Sequence, residues 1–531
     1  MDILYVKDFF ANSTKCLLIH PQFSPYSSLN YDDVCKIVGA KYPVPPLGLL
    51  TVAALLPQDW NFKLIDINVE PLLDSHLEWA DIICTGGMLS QQRGILSIID
   101  KAHHHGKKVV IGGPEPTCQP QHYQKADYLV LDEGENSIPL FLKALQNGEE
   151  HGEYRSLKLA DMTEAVVPRF DLIKLDDYLM MAIQFSRGCP YNCEFCNVIE
   201  LFGRESRTKS PKHILKELET LYDLGYRGHI FFVDDNFLSH GIRVEKLLLV
   251  MSEWSKEKKY PFFFAAEASI NLANKDRFLE LMRDIDFRYI SIGIETPDDK
   301  VLKMAQKQQN VNKPIVEIMK KIYSYGILVD SCLIIGFDHE TDMTADLIIK
   351  CIQDSGIPMA MVGTLFALPN TQLAQRLQKE GRLFKPDTTI GDSQTEIDQM
   401  SSGLNFETSR PRKEILNDYI KILDALYSPV NYFQRLTLVG LLLKRQIKHR
   451  PTFRAALKRA PVFFKICRHL GFQKKTGFLF WKTFVIILIT NPKALEAVLS
   501  LSAMYIHFSR HSQFIINLTR NKMNALDCDT S

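Results

Sequence analysis

The stretch SRGCPYNCEFCNVIELFGR, Ser186–Arg204, places three of the chain's eleven cysteines within eight residues. They are Cys189, Cys193 and Cys196, spaced as Cys-x3-Cys-x2-Cys. A closed zinc site needs four ligands, and a disulfide framework needs an even number of cysteines in an oxidising compartment. Three thiolates on a short loop can instead hold three corners of a cubane iron–sulfur cluster and leave one iron open. The rest of the chain has to decide whether this loop holds such a cluster.

The cysteine loop follows a strand-like segment, MAIQFSRG, and five more strand-like segments come after it. These are HIFFVDDN, PFFFAAEAS, YISIGIETP, VDSCLIIGFD and MAMVGTLFALPNT. Helical segments separate them, beginning with SPKHILKELETLYDLG, for which Ser210 is the expected N-cap and Gly225 the stop. The alternation predicts six parallel strands in a partial (β/α)6 barrel.

Polar side chains stand where these strands end. They are Asp234, Asp235 and Asn236, then Glu267 and Ser269, then Glu295 and Thr296, and finally Asp338. Each carboxylate alone could be a helix cap or a loop residue. Because barrel enzymes carry their functional groups at the carboxyl ends of the strands, the whole set beside a three-cysteine loop favours a functional site.

The N-terminal third alternates strand-like and helix-like segments. The strand candidates are TKCLLIHP, FKLIDIN, ADIICTGGM, KVVIGGPEP and ADYLVLDEGE. They predict a Rossmann-like, doubly wound parallel sheet, whose ligand would lie outside the carboxyl ends of the strands. No Gly-x-Gly-x-x-Gly follows the first strand, which argues against a nicotinamide dinucleotide domain.

The chain as a whole is nearly neutral, with 63 basic and 62 acidic residues, but its C-terminal part is basic. From Leu441 to the end there are sixteen Lys and Arg against three acids. The apolar segments TGFLFWKTFVIILIT and ALEAVLSLSAMYIHF fall short of the roughly 20 residues of a spanning helix. We expect a mostly helical region. Two interpretations stay open: a cap with a solvated basic face, or contact with a membrane surface.

The other cysteines are scattered singly, which predicts reduced and mostly buried thiols. They are Cys16, Cys35, Cys84, Cys118, Cys332, Cys351, Cys467 and Cys528. Cys332 and Cys351 are expected to be small core residues. The first twenty residues lack a basic region followed by an apolar core, so no signal peptide is predicted. We expect a cytoplasmic protein, with a peripheral position on the inner face of the membrane as the alternative.

From about Lys15 to about Phe406 the chain resembles radical S-adenosylmethionine (SAM) enzymes that have an N-terminal cobalamin-binding domain. The cysteine motif, with Phe195 before its third cysteine, carries the resemblance. The resemblance implies that the three cysteines ligate a [4Fe–4S] cluster whose open iron chelates SAM. Reduction would then cleave SAM and release a 5′-deoxyadenosyl radical. No side chain is assigned as a catalytic group, since the cofactors carry the chemistry.

The resemblance also implies roles for the residues at the barrel edge. Asp234-Asp235-Asn236 replaces the Gly-Gly-Glu usual in the family, so contact with the methionine amine falls on Asp234 or Asp235. Glu295 would contact the ribose, and Ile335 and Gly336 would lie near the adenine. Phe195, Glu267 and Ser269 complete the cofactor-binding candidates of the barrel.

The cobalamin half lacks the Asp-x-His-x-x-Gly motif, whose histidine binds cobalt in free-standing cobalamin modules. The resemblance therefore implies base-off cobalamin with no protein nitrogen on the cobalt. Met88 and Leu89 would face the lower side of the corrin. The nucleotide tail would be held by two segments, Gly112 and Gly113 in one, and Glu133, Gly134 and Glu135 in the other. A vestigial domain that binds no cobalamin stays open as an alternative.

Within the superfamily, segments such as CNVIELFGRESRTKS, EASINLA and SGIPMAMVGTLFALPNTQL resemble the hopanoid C-2 methylase group, which also ends in a helical region. This implies a C-methyltransferase: methylcobalamin, recharged by one SAM, methylates a carbon radical that a second SAM generates. The implied substrate is an unactivated carbon of a small hydrophobic molecule, with a hopanoid or terpenoid lipid as a candidate. The implied electron donor is a flavodoxin or ferredoxin-type reductant, and no nucleic acid is expected.

The predicted organisation has four parts: a cobalamin-binding-like domain at 1–150, a linker at 151–178, a radical SAM barrel at 179–390, and a basic, amphipathic helical domain at 391–531. Three rival interpretations remain. A cobalamin radical enzyme could rearrange or cyclise its substrate without methylating it. A methylthiotransferase would need a second cluster and a small β-rich C-terminal domain. A zinc or nucleic-acid-binding module would need a fourth ligand, for which only Glu200 is near.

Overall fold

The computed structural model describes residues 14–24, 27, 30–384, 403–446, 448 and 453–529. Two six-stranded parallel sheets follow one another along the chain, and a group of helices comes after them. Three sequence-based expectations lie outside the described residues, wholly or in part: the boundary at 390/391, residues 1–13 of the segment inspected for a signal peptide, and the side chain of Cys528.

The first sheet has the strand order β2-β1-β3-β4-β5-β6, and every neighbouring pair is parallel. Its strands are β1 (Lys15–His20), β2 (Asn61–Asp66), β3 (Ile82–Gly86), β4 (Lys108–Gly112), β5 (Tyr128–Val130) and β6 (Gly152–Tyr154). The helices of this part are α1 (Asp32–Val38), α2 (Leu47–Leu55), α3 (Asp74–Trp79), α4 (Gln92–His104), α5 (Pro114–Cys118) and α6 (Gly134–Gln146). The doubly wound sheet is therefore confirmed. The predicted linker 151–178 begins with β6, a sixth strand of this sheet.

Both faces of the first sheet are buried, which explains why its strands are continuous apolar runs rather than alternating ones. In β1, Leu17 and Ile19 belong to one apolar core, whereas Cys16 and Leu18 belong to the other, which continues into the barrel. The strand order places a topological switch point between β1 and β3. Ligands of doubly wound sheets bind at such a point.

The second sheet has the order β14-β13-β12-β11-β10-β7, again with every neighbouring pair parallel. Its strands are β7 (Met181–Ile183), β10 (His229–Phe232), β11 (Phe263–Glu267), β12 (Phe287–Glu295), β13 (Leu328–Ile335) and β14 (Ala360–Thr364). β8 (Ser186–Arg187) and β9 (Arg207–Thr208) form a short antiparallel pair beside the cysteine loop. The six parallel strands of a partial barrel are thus confirmed.

The helices between these strands are α7 (Val198–Phe202), α8 (Pro211–Asp223), α9 (Gly241–Glu257), α10 (Asp276–Asp284), α11 (Asp299–Met304), α12 (Ile315–Ser324), α13 (Thr344–Ser355) and α14 (Gln372–Lys379). Ser210 caps α8 as predicted, because its side chain accepts a hydrogen bond from the amide of His213. Side chains alternate along the barrel strands. In β13, Val329 and Leu333 are buried, while Asp330 and Cys332 keep accessible surface and face the lumen.

The C-terminal region is helical, as predicted, with α15 (Arg412–Tyr427), α16 (Pro429–Leu442), α17 (Phe453–Ile466), α18 (Gly477–Thr490) and α19 (Leu495–Asp529). It packs on the barrel through buried polar contacts as well as apolar ones. Tyr427 donates to the carbonyl of Ala360 in β14 at 2.7 Å, and the buried Arg435 donates to the carbonyl of Ile357 at 2.9 Å. Within the described residues, the search for a helix long and apolar enough to span a membrane finds none.

Candidate active site

The cysteine loop runs from β8 to α7 at the carboxyl edge of the barrel. Gly188 opens it with φ of 91°, and a Cβ there would meet the carbonyl of Glu205 at 2.6 Å, so glycine is required. The amide of Cys189 donates to the carbonyl of Gly203 at 3.3 Å. Cys193 is buried, while Cys189 and Cys196 are partly exposed. The backbone therefore holds the three thiols in one compact loop.

The donor set fits an iron–sulfur cluster better than a single ion. Among the described residues, no three His, Cys, Asp or Glu side chains converge closely enough to hold one metal ion. The three thiols nevertheless influence one another electrostatically, and burial raises the pKa of Cys196 to about 12. A cubane is several ångströms across, so its ligands stand around it rather than meeting at a point. Its iron would stabilise the thiolates that burial disfavours.

Lys307 lies against this loop, and sequence analysis missed it. It forms a buried ion pair with Glu295, and its Nζ lies 5.8 Å from the centre of the Phe195 ring. Burial raises the pKa of Cys193, and the positive charge of Lys307 opposes that rise. Gln309 donates to the Cys193 sulfur at 3.5 Å. Nothing in the sequence distinguishes these two residues from surface residues, since only the fold brings their segment to the loop.

Glu295 ends β12 in the left-handed region, with φ of 64°. The pairing of β12 with β13 shifts register at this point. A glutamate in this conformation is uncommon, and such residues cluster at functional sites. The irregularity turns the carboxylate toward Lys307 and the cysteine loop. The ribose contact predicted for Glu295 stays a prediction, and the ion pair holds the carboxylate at the edge where that contact would occur.

The two candidates for the methionine amine have different partners. Asp234 is buried and accepts hydrogen bonds from the amides of Phe185 and Ser186 and from the Ser186 hydroxyl. Asp235 accepts from the amide of Gly188 at 3.0 Å through one oxygen. Burial raises the pKa of Asp234 to about 7 and also raises that of Asp235. Asp234 therefore anchors the strand that leads into the cysteine loop, and Asp235 is the better candidate for the amine.

Glu267 projects into the barrel lumen together with two residues of β13. Its side chain keeps accessible surface although protein surrounds it, and burial and the nearby Asp330 raise its pKa to about 7. Asp330 accepts from the hydroxyl of Ser291 at 2.9 Å, and burial raises its pKa to about 6. Cys332 lies among these carboxylates. The expectation of a core residue is therefore wrong for Cys332, whereas Cys351 is buried as expected.

The remaining barrel candidates have main-chain partners. Ser269 accompanies Glu267, and its amide donates to the side chain of Asn236 at 3.3 Å. The Ile335 carbonyl accepts from the amide of Leu365 at 2.7 Å, and the Gly336 amide donates to the carboxylate of Glu340 at 2.9 Å. These bonds compete with the adenine contact predicted for Ile335 and Gly336. That contact stays a prediction.

Glycine backbones form the carboxyl edge of the first sheet. A Cβ at Gly86 would lie 1.9 Å from the carbonyl oxygen of Gly112, and a Cβ at Gly112 would lie 2.7 Å from that of Val130. Gly113 has φ of 100°, and a Cβ there would meet the amide of Gly87 at 3.1 Å. The glycines therefore allow β3, β4 and β5 to approach closely at their ends. The edge they leave is open to a flat ligand.

Met88 and Leu89 follow β3 at this edge. The Met88 side chain is 43% exposed, and its amide donates to the side chain of Gln91 at 3.1 Å. Leu89 begins a short 3-10 turn. Both lie beside the switch point between β1 and β3, where the contact with the corrin is predicted.

Glu133 and Glu135 connect the first domain to the β8–β9 pair rather than standing free. Glu133 bonds Arg187 at 3.1 Å and Arg207 at 2.8 Å, and Glu135 bonds Arg187 at 2.8 Å. Gly134 begins α6 between them. Arg187 immediately precedes the cysteine loop, so this network couples the first sheet to that loop. The carboxylates are therefore engaged, and the predicted hold on the nucleotide tail stays a prediction.

The lumen is closed on one side by aromatic side chains from outside the barrel. Burial raises the pKa of Tyr31, just before α1, and the nearby Asp330 and Cys332 raise it further. The Tyr31 ring lies 6.0 Å from that of Phe508 in α19, which stacks on Tyr427 at 5.6 Å. The first domain and the C-terminal helices thus complete the mouth of the barrel, an arrangement that no single segment indicates.

Three family models match the chain. The B12 binding domain matches residues 36–142, the Radical SAM superfamily matches residues 183–352, and a domain of unknown function (DUF4070) matches residues 371–520. The first two coincide with the two parallel sheets. The third covers most of the helical region.

Named relatives agree with these matches. An uncharacterized methyltransferase of Synechocystis sp. is 38% identical over 504 residues, covering 94% of this chain and 92% of its own. The hopanoid C-2 methylase of Rhodopseudomonas palustris is 37% identical over 348 residues, covering 65% of this chain and 66% of its own.

Solved structures share the fold. The methyltransferase TsrM from Kitasatospora setae, with cobalamin and a [4Fe–4S] cluster bound, has a TM-score of 0.61 at 12% identity and covers 91% of this chain and 100% of its own. The cobalamin-dependent radical enzyme OxsB, with aqua-cobalamin bound, has a TM-score of 0.59 at 16% identity. The match covers 96% of this chain and 80% of the OxsB chain. Because the cysteine loop, the doubly wound sheet and a near full-length relative agree, the chain belongs to the cobalamin-binding radical SAM methyltransferases, which use a [4Fe–4S] cluster, SAM and cobalamin.

Proposed function

We propose that the enzyme methylates an unactivated carbon of a hydrophobic substrate, a polycyclic terpenoid lipid of the hopanoid type. The observation that carries the proposal is the aromatic cluster that closes the lumen: the partly exposed Tyr31 lies against the buried Phe508, which stacks on the buried Tyr427. Aromatic side chains bury large areas of apolar surface, which suits a rigid hydrocarbon skeleton. The similarity to the hopanoid C-2 methylase supports the same substrate class.

The lumen itself adds a requirement to the substrate. Asp330, Glu267 and Cys332 make the interior polar, and a wholly apolar molecule would leave their groups desolvated without partners. The carboxylates are the groups that a cationic cofactor or a hydroxyl-bearing substrate would satisfy. We therefore expect the cofactor to occupy the carboxylate side and the substrate skeleton to lie against the aromatic mouth.

When bound, the cluster and SAM supply the 5′-deoxyadenosyl radical, and cobalamin supplies the methyl group. The chain's own residues hold and shield these groups. Cys189, Cys193 and Cys196 would ligate the cluster, and Asp235 and Glu295 would orient SAM. Met88 and Leu89 would lie against the corrin. Closure by the first domain and by α19 would exclude water.

The electron donor and the cellular position belong to the same proposal. A reductant of the flavodoxin or ferredoxin type would approach the outer side of the cysteine loop, where Cys189 and Cys196 are partly exposed. A cavity of about 410 Å³ borders the cysteine loop at Glu194 and is also lined by Arg376 and Arg382, among others. Contact with a membrane surface would bring the enzyme to a lipid substrate.

The test is an anaerobic incubation of the cobalamin-supplied enzyme with SAM, a strong reductant and total membrane lipid. We expect 5′-deoxyadenosine, S-adenosylhomocysteine and a lipid heavier by one methyl group. Cys196→Ala is the control, with no product. Formation of both SAM products with no methylated lipid would contradict the lipid substrate. Formation of 5′-deoxyadenosine with a product of unchanged mass would indicate rearrangement or cyclisation instead.

A further inference from the structure

Helix α18 carries a stripe of exposed apolar side chains. Phe478, Trp481, Val485 and Ile489 are 78%, 37%, 47% and 75% exposed. Their spacing of three or four residues places them on one side of the helix. The opposite side is buried, and its Thr483 bonds Thr437 of α16 at 2.8 Å. The stripe is therefore the outward side of a well-packed helix rather than a loosely attached segment.

The stripe continues beyond α18. Phe472, in the turn before the helix, is 81% exposed, and Phe464 of α17 is 68% exposed. Trp481 donates to the carbonyl of Gly471 at 3.2 Å and so ties the turn to the helix. We call this surface the apolar face; it consists of Phe464, Phe472, Phe478, Trp481, Val485, Leu488 and Ile489. An exposed apolar surface of this extent indicates an interaction site.

The segment that carries the apolar face has charges of one sign. The sequence contains no Asp or Glu between Asp424 and Glu496. Exposed basic side chains lie on the same helices and turn: Lys465, Arg468, Lys474, Lys475 and Lys482. Aromatic and aliphatic side chains bordered by lysine and arginine are what an anionic bilayer surface attracts. A partner protein would instead have to match these basic side chains with acidic groups.

We propose that the apolar face docks on the surface of an anionic lipid bilayer. The helices would lie in the interfacial plane, with the aromatic side chains in the headgroup region and the lysine amines beside lipid phosphates. This placement stands by itself as a binding surface, while its use for substrate delivery rests on the proposed function.

The docked orientation connects the bilayer with the mouth of the barrel. Lys465 of α17 donates to the carbonyls of Lys36 and Ile37 at the end of α1, at 3.1 Å each. Tyr31, just before α1, faces the lumen and contacts Phe508. The short helix α1 therefore connects the contact with α17 to Tyr31 at the aromatic mouth. A lipid leaving the bilayer beside α17 would have to travel only about the length of α1 to reach that mouth.

The test is flotation of the purified full-length protein with vesicles, in the absence of SAM. The vesicles are phosphatidylcholine alone or phosphatidylcholine with phosphatidylglycerol. We expect flotation with the phosphatidylglycerol vesicles and less with phosphatidylcholine alone. The variant Phe472→Ser/Phe478→Ser/Ile489→Ser should bind the vesicles at least about tenfold more weakly than the wild type, because three large apolar groups no longer insert. The matched control Leu157→Ser/Ile242→Ser, at exposed positions on other elements (93% and 71%), should float as the wild type does.

A second variant, Lys474→Gln/Lys475→Gln/Lys482→Gln, separates charge from insertion. It should reduce flotation only with phosphatidylglycerol vesicles, and high salt should reduce wild-type flotation in the same way. Wild-type protein that stays unbound, or a triple serine variant that floats normally, would overturn the proposal. So would a wild-type dimer that the serine variant converts to monomer, since a second copy would then cover the face. Vesicle binding without lipid methylation would contradict the proposed substrate alone.

Discussion

The two parallel sheets have six strands each, but their carboxyl edges are built differently. The first edge consists of glycine backbone, with Gly86 and Gly112 packed against neighbouring carbonyls and Met88 exposed beside them. The second edge consists of charged side chains held by partners, such as Asp234 on backbone amides and Glu295 on Lys307. At the first edge the glycines have no side chains, so neighbouring strands approach closely. At the second edge the charged side chains are held by hydrogen bonds and ion pairs.

We propose that the difference reflects the ligands of the two domains. A broad, flat corrin is bound by shape, so the backbone must approach it and side chains must stay out of the way. SAM is small and cationic, so it needs carboxylates at fixed positions. Substitutions at the first edge should therefore act through sterics, and substitutions at the second through charge and ligation.

The largest expected effect is at the second edge. Cys196→Ala should abolish the cluster and all cleavage of SAM, because the remaining two thiols cannot retain the cubane. Iron and sulfide analysis, the visible spectrum and assay of 5′-deoxyadenosine check this. Cys351→Ala, a buried thiol of α13, is the matched control and should keep its cluster. Normal 5′-deoxyadenosine production by Cys196→Ala would show that the assignment of the cluster to this loop is wrong.

The next effect concerns the ion pair beside the cluster. Glu295→Gln should lower the free energy of unfolding by about 3 kcal/mol, because it leaves the Lys307 ammonium buried without a counter-charge. Adding Lys307→Met should recover part of that loss, which urea unfolding of the four members of a double-mutant cycle would measure. Asp354→Asn, in an exposed pair with Lys350, should cost less than about 0.5 kcal/mol. Additive effects at Glu295 and Lys307 would show that the pair is not coupled.

A smaller effect is expected at the first edge. Gly86→Ala should cost about 1–3 kcal/mol, since its methyl would overlap the Gly112 carbonyl, and it should weaken cobalamin retention while cluster content stays normal. Gly48→Ala is the control, because nothing lies within 4 Å of its Cβ in α2; it should be neutral or stabilising. Cobalamin titration of both variants measures the effect at the first edge, and iron analysis measures any effect on the cluster at the second. Loss of the cluster in Gly86→Ala would contradict their independence.

The last prediction concerns the pH dependence of stability. The pKa of Asp234 and Glu267 is raised to about 7 and that of Asp330 to about 6, mainly by burial. Unfolded carboxyls titrate near pH 4 (about 3.9 to 4.3), so the folded protein binds more protons between about pH 4 and about pH 7. The free energy of unfolding of the cofactor-free protein should therefore fall as the pH rises through this window. Thermal unfolding of Glu267→Gln at several pH values in this window should show a shallower dependence of stability on pH than the wild type. An unchanged dependence would show that Glu267 does not contribute.

The sequence indicated the elements well because their signals are local. The apolar runs of β1 and β3, the cap at Ser210 and the cysteine spacing each depend on neighbouring residues. It indicated less well what each side chain does. Cys332 was expected in the core, yet the alternation along β13 turns it into the lumen. The strand β6 was missed because three residues with polar neighbours give too weak a pattern.

The sequence by itself determined the class of the enzyme, since three cysteines at fixed spacing after a first barrel strand define the cluster loop. The lack of acids between Asp424 and Glu496 likewise defines the charge of that segment. Only the tertiary structure decided which groups surround that loop. Lys307 pairs with Glu295 beside the loop, and Arg187 pairs with Glu133 and Glu135. Tyr31 lies against Phe508, hundreds of residues away in the chain. The physical reason is that ligation and helix formation depend on short spacings, whereas desolvated ion pairs and aromatic contacts depend on how separate elements pack.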